Sequence, residues 1–248
     1  DPGVAKNYVG GRGLGIYYLL KEVDPGCDPI SPANKVIMST GPLTGTAAPT
    51  GARYMVTTKS PLTGAISCSN SGGNFPAELK KSGHDVIILE GKSPRPVYIW
   101  INGERAELRS AEHLWGLTTH ETDDALRRET EDKAKTAVIG PAGEKLVRMA
   151  AIINDRDRAA GLCVFFSVRY LTDLTLDARP VGIMELLNAA TGANYTLAEL
   201  EKAGERIWNA ERLFLTRAGF SRKDDSLPPR MTREPMPAGP AKGHVCHL

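Results

Sequence analysis

Residues 41–83 read GPLTGTAAPTGARYMVTTKSPLTGAISCSNSGGNFPAELKKSG, and the rest of the chain is organised around this stretch. Turn clusters (Gly-Pro, Pro-Thr-Gly, Ser-Gly-Gly) alternate with short β-branched runs such as Tyr54-Met-Val-Thr-Thr58, the pattern of strands joined by tight turns. Arg53 stands inside a glycine-rich turn and Asn70 stands ahead of the pair Gly72-Gly73. Glycine lets backbone N–H groups come close to an anion, arginine grips two oxygens at once, and asparagine can orient an ion or a ring edge. Two readings stand side by side: a cradle for a large phosphate-bearing ligand, or ordinary turn chemistry, which uses the same residue types.

Working outward, residues 10–15 read GGRGLG before Tyr17-Tyr-Leu-Leu-Lys-Glu-Val23. The spacing departs from the G-x-G-x-x-G of dinucleotide sites and no strand precedes it, so a tight turn into a helix is expected, stopping near Pro25-Gly26. Runs 35–40, 85–90 and 96–101 predict strands. Residues 91–94 predict a hairpin loop, and Asn102-Gly103 a second hairpin into 105–108. Pro-Leu-Thr-Gly occurs at 42–45 and again at 61–64, which hints at two related β-units. Short helices are expected at 75–81, where Pro76 fits the first turn, and at 118–131, which is charged and reads as surface-facing. Residues 136–140 predict a further strand and 141–144 a turn.

The character changes near residue 160. Run 162–171 is densely apolar and fits either a buried strand or a buried helix. Residues 181–190 read as a helix stopped by Gly192. Thr196-Leu-Ala-Glu199 is a capping box, followed by Leu200, Ala203, Ile207, Ala210 and Phe214 at helical spacing, with Gly219 at the C′ position. From Ser221 the chain is rich in proline and charge, which favours extended, surface-draping backbone.

With 248 residues, 41% hydrophobic and 24% charged, the composition is that of an ordinary globular protein. A formal charge of +2 gives no reason to expect nucleic acid or an anionic membrane as partner, and no apolar run is long enough to span a bilayer. The opening Asp1-Pro-Gly-Val has no initiator methionine and neither the basic nor the apolar part of a secretory signal. A cytoplasmic protein whose chain begins inside a longer one is therefore expected. Cys27, Cys68, Cys163 and Cys246 are far apart, so no metal site closes on local spacing, and reduced, mostly buried thiols are expected. His244, Cys246 and His247 form H-V-C-H near the end, where incidental proximity outweighs metal binding. No nucleophile elbow, zinc-protease or Walker motif is present. Glu78, Asp85 and Glu90 are scattered without a base to partner them. A ligand cradle lacking catalytic groups of its own suits a protein whose cofactor carries the chemistry.

Taken together, these phrases resemble the aldehyde ferredoxin oxidoreductase family of tungsten-pterin enzymes. The matching phrases are GGRGL at 10–14, YLLKEVDPGCDPISPANK at 18–35, GPLTGTAAPTGARY at 41–54, TKSPLTG at 58–64, SNSGG at 69–73, AELKKSGHD at 77–85, IGPAGEKLV at 139–147 and AAIINDRDRAAG at 150–161. GLCVFF at 161–166, LLNAATG at 186–192, GERIWNAERLF at 204–214 and EPMPAGPAKGH at 234–244 are similar to the family's C-terminal domain. The resemblance implies an α+β fold. A β-rich tungstopterin-binding domain would span 1–160, and a helical C-terminal fragment with an irregular tail 161–248.

By the same resemblance, aldehydes would be oxidised to carboxylic acids at a tungsten bis-molybdopterin centre. Electrons would pass through a [4Fe–4S] cluster to ferredoxin, and a homo-oligomer is open. Arg53 and Arg158 would contact pterin phosphates. Asn70 and the carbonyl of Ala159 would hold the Mg²⁺ between those phosphates, and Gly72 would lie close to the pterin. Gly161 and Leu162 would belong to a second pterin motif, and Cys163 would be the distant fourth cluster cysteine.

The family's long middle is absent, and with it the cysteine triplet, one pterin motif and the acid and histidine thought to act at tungsten. Two phrases fuse across 158–163: Arg158 replaces the aspartate of D-x-x-G-L, and Cys163 has no triplet to complete. Pro76 also stands where the family usually has glycine. The resemblance therefore leaves a second reading beside the enzyme: a truncated, non-catalytic remnant that at most binds the pterin phosphates.

Overall fold

The fold is built on the strand segments flanking the glycine-rich turns. In the computed structural model, which describes residues 1–48, 51–154, 179–227 and 229–245, these segments form one antiparallel sheet. Its strands are β1 (Lys35–Thr40), β2 (Tyr54–Lys59), β3 (Ile66–Ser71) and β4 (Val86–Glu90), in the order β3-β2-β1-β4. The protein mixes helices with antiparallel sheets, the expected α+β class. The two Pro-Leu-Thr-Gly phrases are successive connections of this single meander. Each ends in a left-handed glycine, Gly45 at φ 77° and Gly64 at φ 71°, so the repetition is one of turn chemistry.

Register sorts the sheet into two faces, because side chains alternate along each strand. Ile37 pairs with Thr57 and Ile88, Thr57 with Cys68, and Met55 with Asn70, which places these residues on one face. Helix α2 (Arg12–Glu22) lies on this face, preceded by α1 (Pro2–Tyr8). The glycines of GGRGLG serve packing. A Cβ on Gly15 would fall 2.9 Å from the Cβ of Thr57, and one on Gly13 would fall 2.8 Å from Cδ1 of Ile207. The Ser39 hydroxyl donates to the carbonyl of Gly11 (2.8 Å) and fixes where α2 begins. Gly15→Ala is expected to destabilise the protein by about 1–3 kcal/mol through overpacking. Gly204→Ala, in a helix with open space around it, is expected to gain up to ~1 kcal/mol. Urea midpoints of the two variants check this, and equal midpoints would refute the packing role.

Beyond the central sheet, the chain continues through α3 (Phe75–Lys81) and then β5 (Val97–Asn102) and β6 (Arg105–Ser110), which pair as a hairpin about Gly103-Glu104. The hairpin expected at 91–94 does not form: β4 pairs with β1, and β5 lies in a separate sheet. Gly91 turns left-handed at φ 79°, and Pro94 and Pro96 have no N–H to extend a ladder, so the chain leaves the first sheet there. Next come α4 (Thr119–Glu129), started by a capping box at Thr118, then β7 (Ala137–Val138), the single turn α5 (Pro141–Glu144) and β8 (Ile153–Asn154), which pairs with β7. Although charged, α4 buries Leu126, which joins Ala111, Leu114 and Val138 in a second core. An apolar cleft of 640 Å³ separates this lobe from the second face of the central sheet, lined by Met38, Leu79, Leu89 and Trp100 among others.

Two helices follow, α6 (Arg179–Thr191), with Gly192 beyond it, and α7 (Leu197–Arg217), opened by the Thr196 capping box and closed before Gly219 at φ 93°. Phe214 of α7 is fully buried with Leu19, Val23 and Ile37, so a residue near position 214 completes the core begun near position 19. Arg12 reinforces the contact with two hydrogen bonds to Glu211, Nε to Oε1 at 2.5 Å and Nη2 to Oε2 at 2.7 Å. The tail is less extended than its proline content suggests. Pro229 opens a short helix, α8 (Pro229–Arg233), where a missing N–H is tolerated. The apolar run 162–171 lies outside the described residues.

Candidate functional site

The turn before β2 and the end of β3 bring the expected cradle residues together. Thr44 is buried and bridges two parts of the loop: its hydroxyl accepts from the N–H of Gly41 (2.9 Å) and donates to the carbonyl of Arg53 (2.7 Å). The N–H of Gly45 reaches the carbonyl of Gly51 (3.2 Å), closing the loop on itself. Arg53 is thereby held at the mouth of β2, while cross-strand pairing of Met55 with Asn70 fixes the neighbouring strand. Nη1 of Arg53 donates to Oδ1 of Asn70 at 3.1 Å, and Nδ2 of Asn70 contacts the Met55 sulfur at 3.1 Å. A Cβ on Gly72 would sit 3.4 Å from both Cζ and Nε of Arg53, so the bare glycine lets the guanidinium lie against the backbone. Arg53 and Asn70 converge on one side of the molecule, with Gly72 beneath them.

This arrangement suits an anion. A guanidinium supplies planar paired donors and its charge is permanent. Asn70 lies exposed beside it and offers a carbonyl oxygen to a cation or an amide N–H to a ring edge. Arg158, Ala159, Gly161, Leu162 and Cys163 lie outside the described residues, as do Cys246 and His247. The remaining member of the H-V-C-H run, His244, is exposed.

The acids passed over as catalytic are all held by lysines. Glu78 pairs with Lys81 (2.9 Å), Asp85 with Lys80 and Glu90 with Lys35 (2.6 Å), and the bond from Lys35 holds the Glu90 carboxyl below its ordinary range. Cys27 and Cys68 are not disposed as metal ligands. Burial pushes both thiols up, offset at Cys68 by a hydrogen bond with Thr57 and at Cys27 by the charge of Lys59. The thiolate is the ligating form, and both sites disfavour it. Among the described residues no group of three or more His, Cys, Asp or Glu side chains could hold a metal ion.

One residue of the site had no local sign in the sequence. Asn154, at the head of Asn154-Asp-Arg-Asp-Arg158, is buried under the cradle. Its Nδ2 donates to the carbonyl of Gly72 (2.7 Å), and its Oδ1 accepts from the Ser71 hydroxyl (2.6 Å) and from the Tyr54 hydroxyl (3.4 Å). A single polar residue in a sequence does not announce which strand it will lie beneath.

Comparison with known proteins identifies relatives of the chain. The family model described as aldehyde ferredoxin oxidoreductase, N-terminal domain, matches residues 1–164, and the model for domains 2 and 3 of the same enzymes matches residues 103–248. A tungsten-containing aldehyde ferredoxin oxidoreductase of Pyrococcus furiosus is 58% identical over 162 residues, covering 65% of this chain and 27% of that protein. Its counterpart in Pyrococcus horikoshii is 60% identical over 158 residues, covering 63% and 26%. An aliphatic sulfonate oxidoreductase, WOR-like subunit, of Pyrococcus furiosus is 34% identical over 174 residues, covering 64% and 28%. Among solved structures, the active site complex BamBC of benzoyl coenzyme A reductase with 1,5-dienoyl-CoA superposes with a TM-score of 0.61 at 41% identity, over 63% of this chain and 24% of that one. The chain spans roughly a quarter of the length of the curated relatives it matches. With one model matching residues 1–164 and a second continuing to residue 248, the chain belongs to the aldehyde ferredoxin oxidoreductase family.

Proposed function

We propose that residues 1–160 are the phosphate-anchoring part of a tungsten bis-pterin site, in a protein that oxidises aldehydes to carboxylic acids, with residues 161–248 a helical fragment of the family's C-terminal domain. The observation that carries this reading is the meeting of Arg53 and Asn70 at 3.1 Å above the bare face of Gly72. Those residues fit a pterin phosphate: the guanidinium would take two of its oxygens, Asn70 would help orient a bridging Mg²⁺, and Gly72 leaves room for the ligand to lie close. When bound, the tungsten centre supplies the two-electron redox chemistry, in which aldehyde and water become carboxylic acid, two protons and two electrons. This chain's own contribution is to anchor the phosphates and hold the loop that surrounds them.

Among the described residues no group of three or more His, Cys, Asp or Glu side chains that could hold a metal ion surrounds Cys27 or Cys68, and Cys163, which the resemblance assigns to a [4Fe–4S] cluster, lies outside those residues. Passage of electrons to ferredoxin belongs to the proposal as the family's route, and no step is assigned to this chain. The proposal sets the protein in the cytoplasm, with an aldehyde as substrate. Among the described residues no helix is long and apolar enough to cross a membrane.

The second reading, a remnant that binds pterin phosphates without catalysis, is favoured by Arg158 standing where the family phrase D-x-x-G-L has its aspartate. Metal analysis of the purified chain, with pterin fluorescence after acid release, separates the two. Tungsten or molybdenum together with iron and pterin is the enzyme's result, and pterin without iron is the cradle's. Protein free of both would end the cofactor reading.

A further inference from the structure

Asn154 is 8% exposed and joins the two lobes. On one side, β8 pairs Ile153 with Val138 and Asn154 with Ala137, and Val138 belongs to the second core. On the other, the side chain of Asn154 reaches the far ends of β2 and β3, where Tyr54 and Ser71 face each other in register. Tyr54 follows Arg53 directly, and Ser71 stands between Asn70 and Gly72. One amide therefore holds the Gly72 backbone and meets the hydroxyls of Ser71 and Tyr54, which flank the cradle.

The chemistry of the grip admits few substitutes. The carbonyl of Gly72 needs a donor, while the hydroxyls of Ser71 and Tyr54 need an acceptor, and only a primary amide offers both from one short planar group. Aspartate keeps the acceptor but turns a carboxylate toward the Gly72 carbonyl. Alanine takes this donor from the buried Gly72 carbonyl. If the Gly72 peptide tilts, the surface on which the Arg53 guanidinium rests, 3.4 Å from where a Cβ would be, is lost.

We propose that Asn154 is the positioning residue of the anion cradle: it fixes the Ser71–Gly72 backbone so that Arg53 and Asn70 present their polar groups to one phosphate-bearing ligand. The proposal rests on the phosphate reading of that cradle given above. It brings one residue of the second lobe, Asn154 at the end of β8, to bear on the binding site, while the core of that lobe lies outside the site.

Isothermal titration of the purified chain with magnesium pyrophosphate tests it, using Asn154→Ala, Asn154→Asp, Arg53→Ala and, as a stability control, Leu126→Ala in the second core. Asn154→Ala and Asn154→Asp are expected to weaken pyrophosphate binding at least about tenfold, the worth of one buried hydrogen bond lost. Leu126→Ala is expected to lower the urea midpoint and leave the affinity unchanged. The Arg53 Nε–Hε resonance is expected to move in Asn154→Ala and to stay in Leu126→Ala, a readout that a purely structural role would not produce. Should Asn154→Ala fail to fold, Ser71→Ala removes one of the three bonds and is expected to show the same change to a smaller degree. Retention of wild-type affinity and an unmoved Arg53 resonance in Asn154→Ala, while Arg53→Ala binds about 10- to 100-fold more weakly, would overturn the positioning role and leave the phosphate reading intact. Failure of the wild-type chain itself to bind pyrophosphate would instead remove the phosphate reading, and the proposal with it.

Discussion

Phe214→Ala is expected to cost about 3–5 kcal/mol of stability, the range for deleting a fully buried aromatic ring. The whole stability of an ordinary domain is about 5–15 kcal/mol, so this one change would consume a large part of it. The ring has no solvent exposure and packs with Leu19, Val23 and Ile37, three residues from the first forty of the chain. Its loss would leave a cavity between α7, α2 and β1, bounded by backbone that cannot collapse, since Gly13 and Gly15 already hold α2 in close approach to its neighbours. The expected signature is a lowered urea midpoint together with faster amide exchange in α2 and β1. If exchange quickened only within α7, the shared core would be refuted, and α7 would be a helix merely resting on the first 160 residues.

The second large effect concerns binding. Arg53→Ala is expected to weaken magnesium pyrophosphate binding by about 10- to 100-fold, in keeping with about 1.5–3 kcal/mol for hydrogen bonds to a charged group. Arg53→Lys is expected to recover only part of the loss, since an ammonium is a point charge without the paired planar donors. Stability is expected to change little, because the bond to Asn70 is solvent-exposed and the loop is held by the Thr44 hydroxyl on the Arg53 carbonyl and by the Gly45 N–H on the Gly51 carbonyl. Calorimetry and a urea titration on the same sample separate the two quantities. An affinity equal to wild type in Arg53→Ala would place the anion site elsewhere in the protein.

Local chemistry was legible in the sequence. The capping boxes at Thr118 and Thr196, the turn at Asn102-Gly103, the stops at Gly192 and Gly219 and the strand limits at 35–40 each depend on residues within a few positions of one another. The convergence of Arg53 and Asn70 was also within reach, because β2 and β3 are joined by a short connection whose turn residues leave little choice of pairing. Where local signals were read too literally, tertiary pairing decided otherwise. Residues 91–94 have the residue types of a hairpin loop, yet β4 found its partner in β1 and β5 paired with β6.

What the sequence determined by itself was therefore the set of elements, their ends and the turn that carries Arg53, since dihedral preferences and end caps act within a single turn of chain. What only the tertiary structure decided was the use of the parts. Gly13 and Gly15 became contact surfaces for Ile207 and Thr57, Phe214 closed a core opened at Leu19, and Asn154 came to lie beneath Gly72. Each of these contacts joins residues from about 40 to about 200 positions apart, and burial rewards such a meeting only once the intervening chain has folded. No pattern of neighbouring residues encodes it.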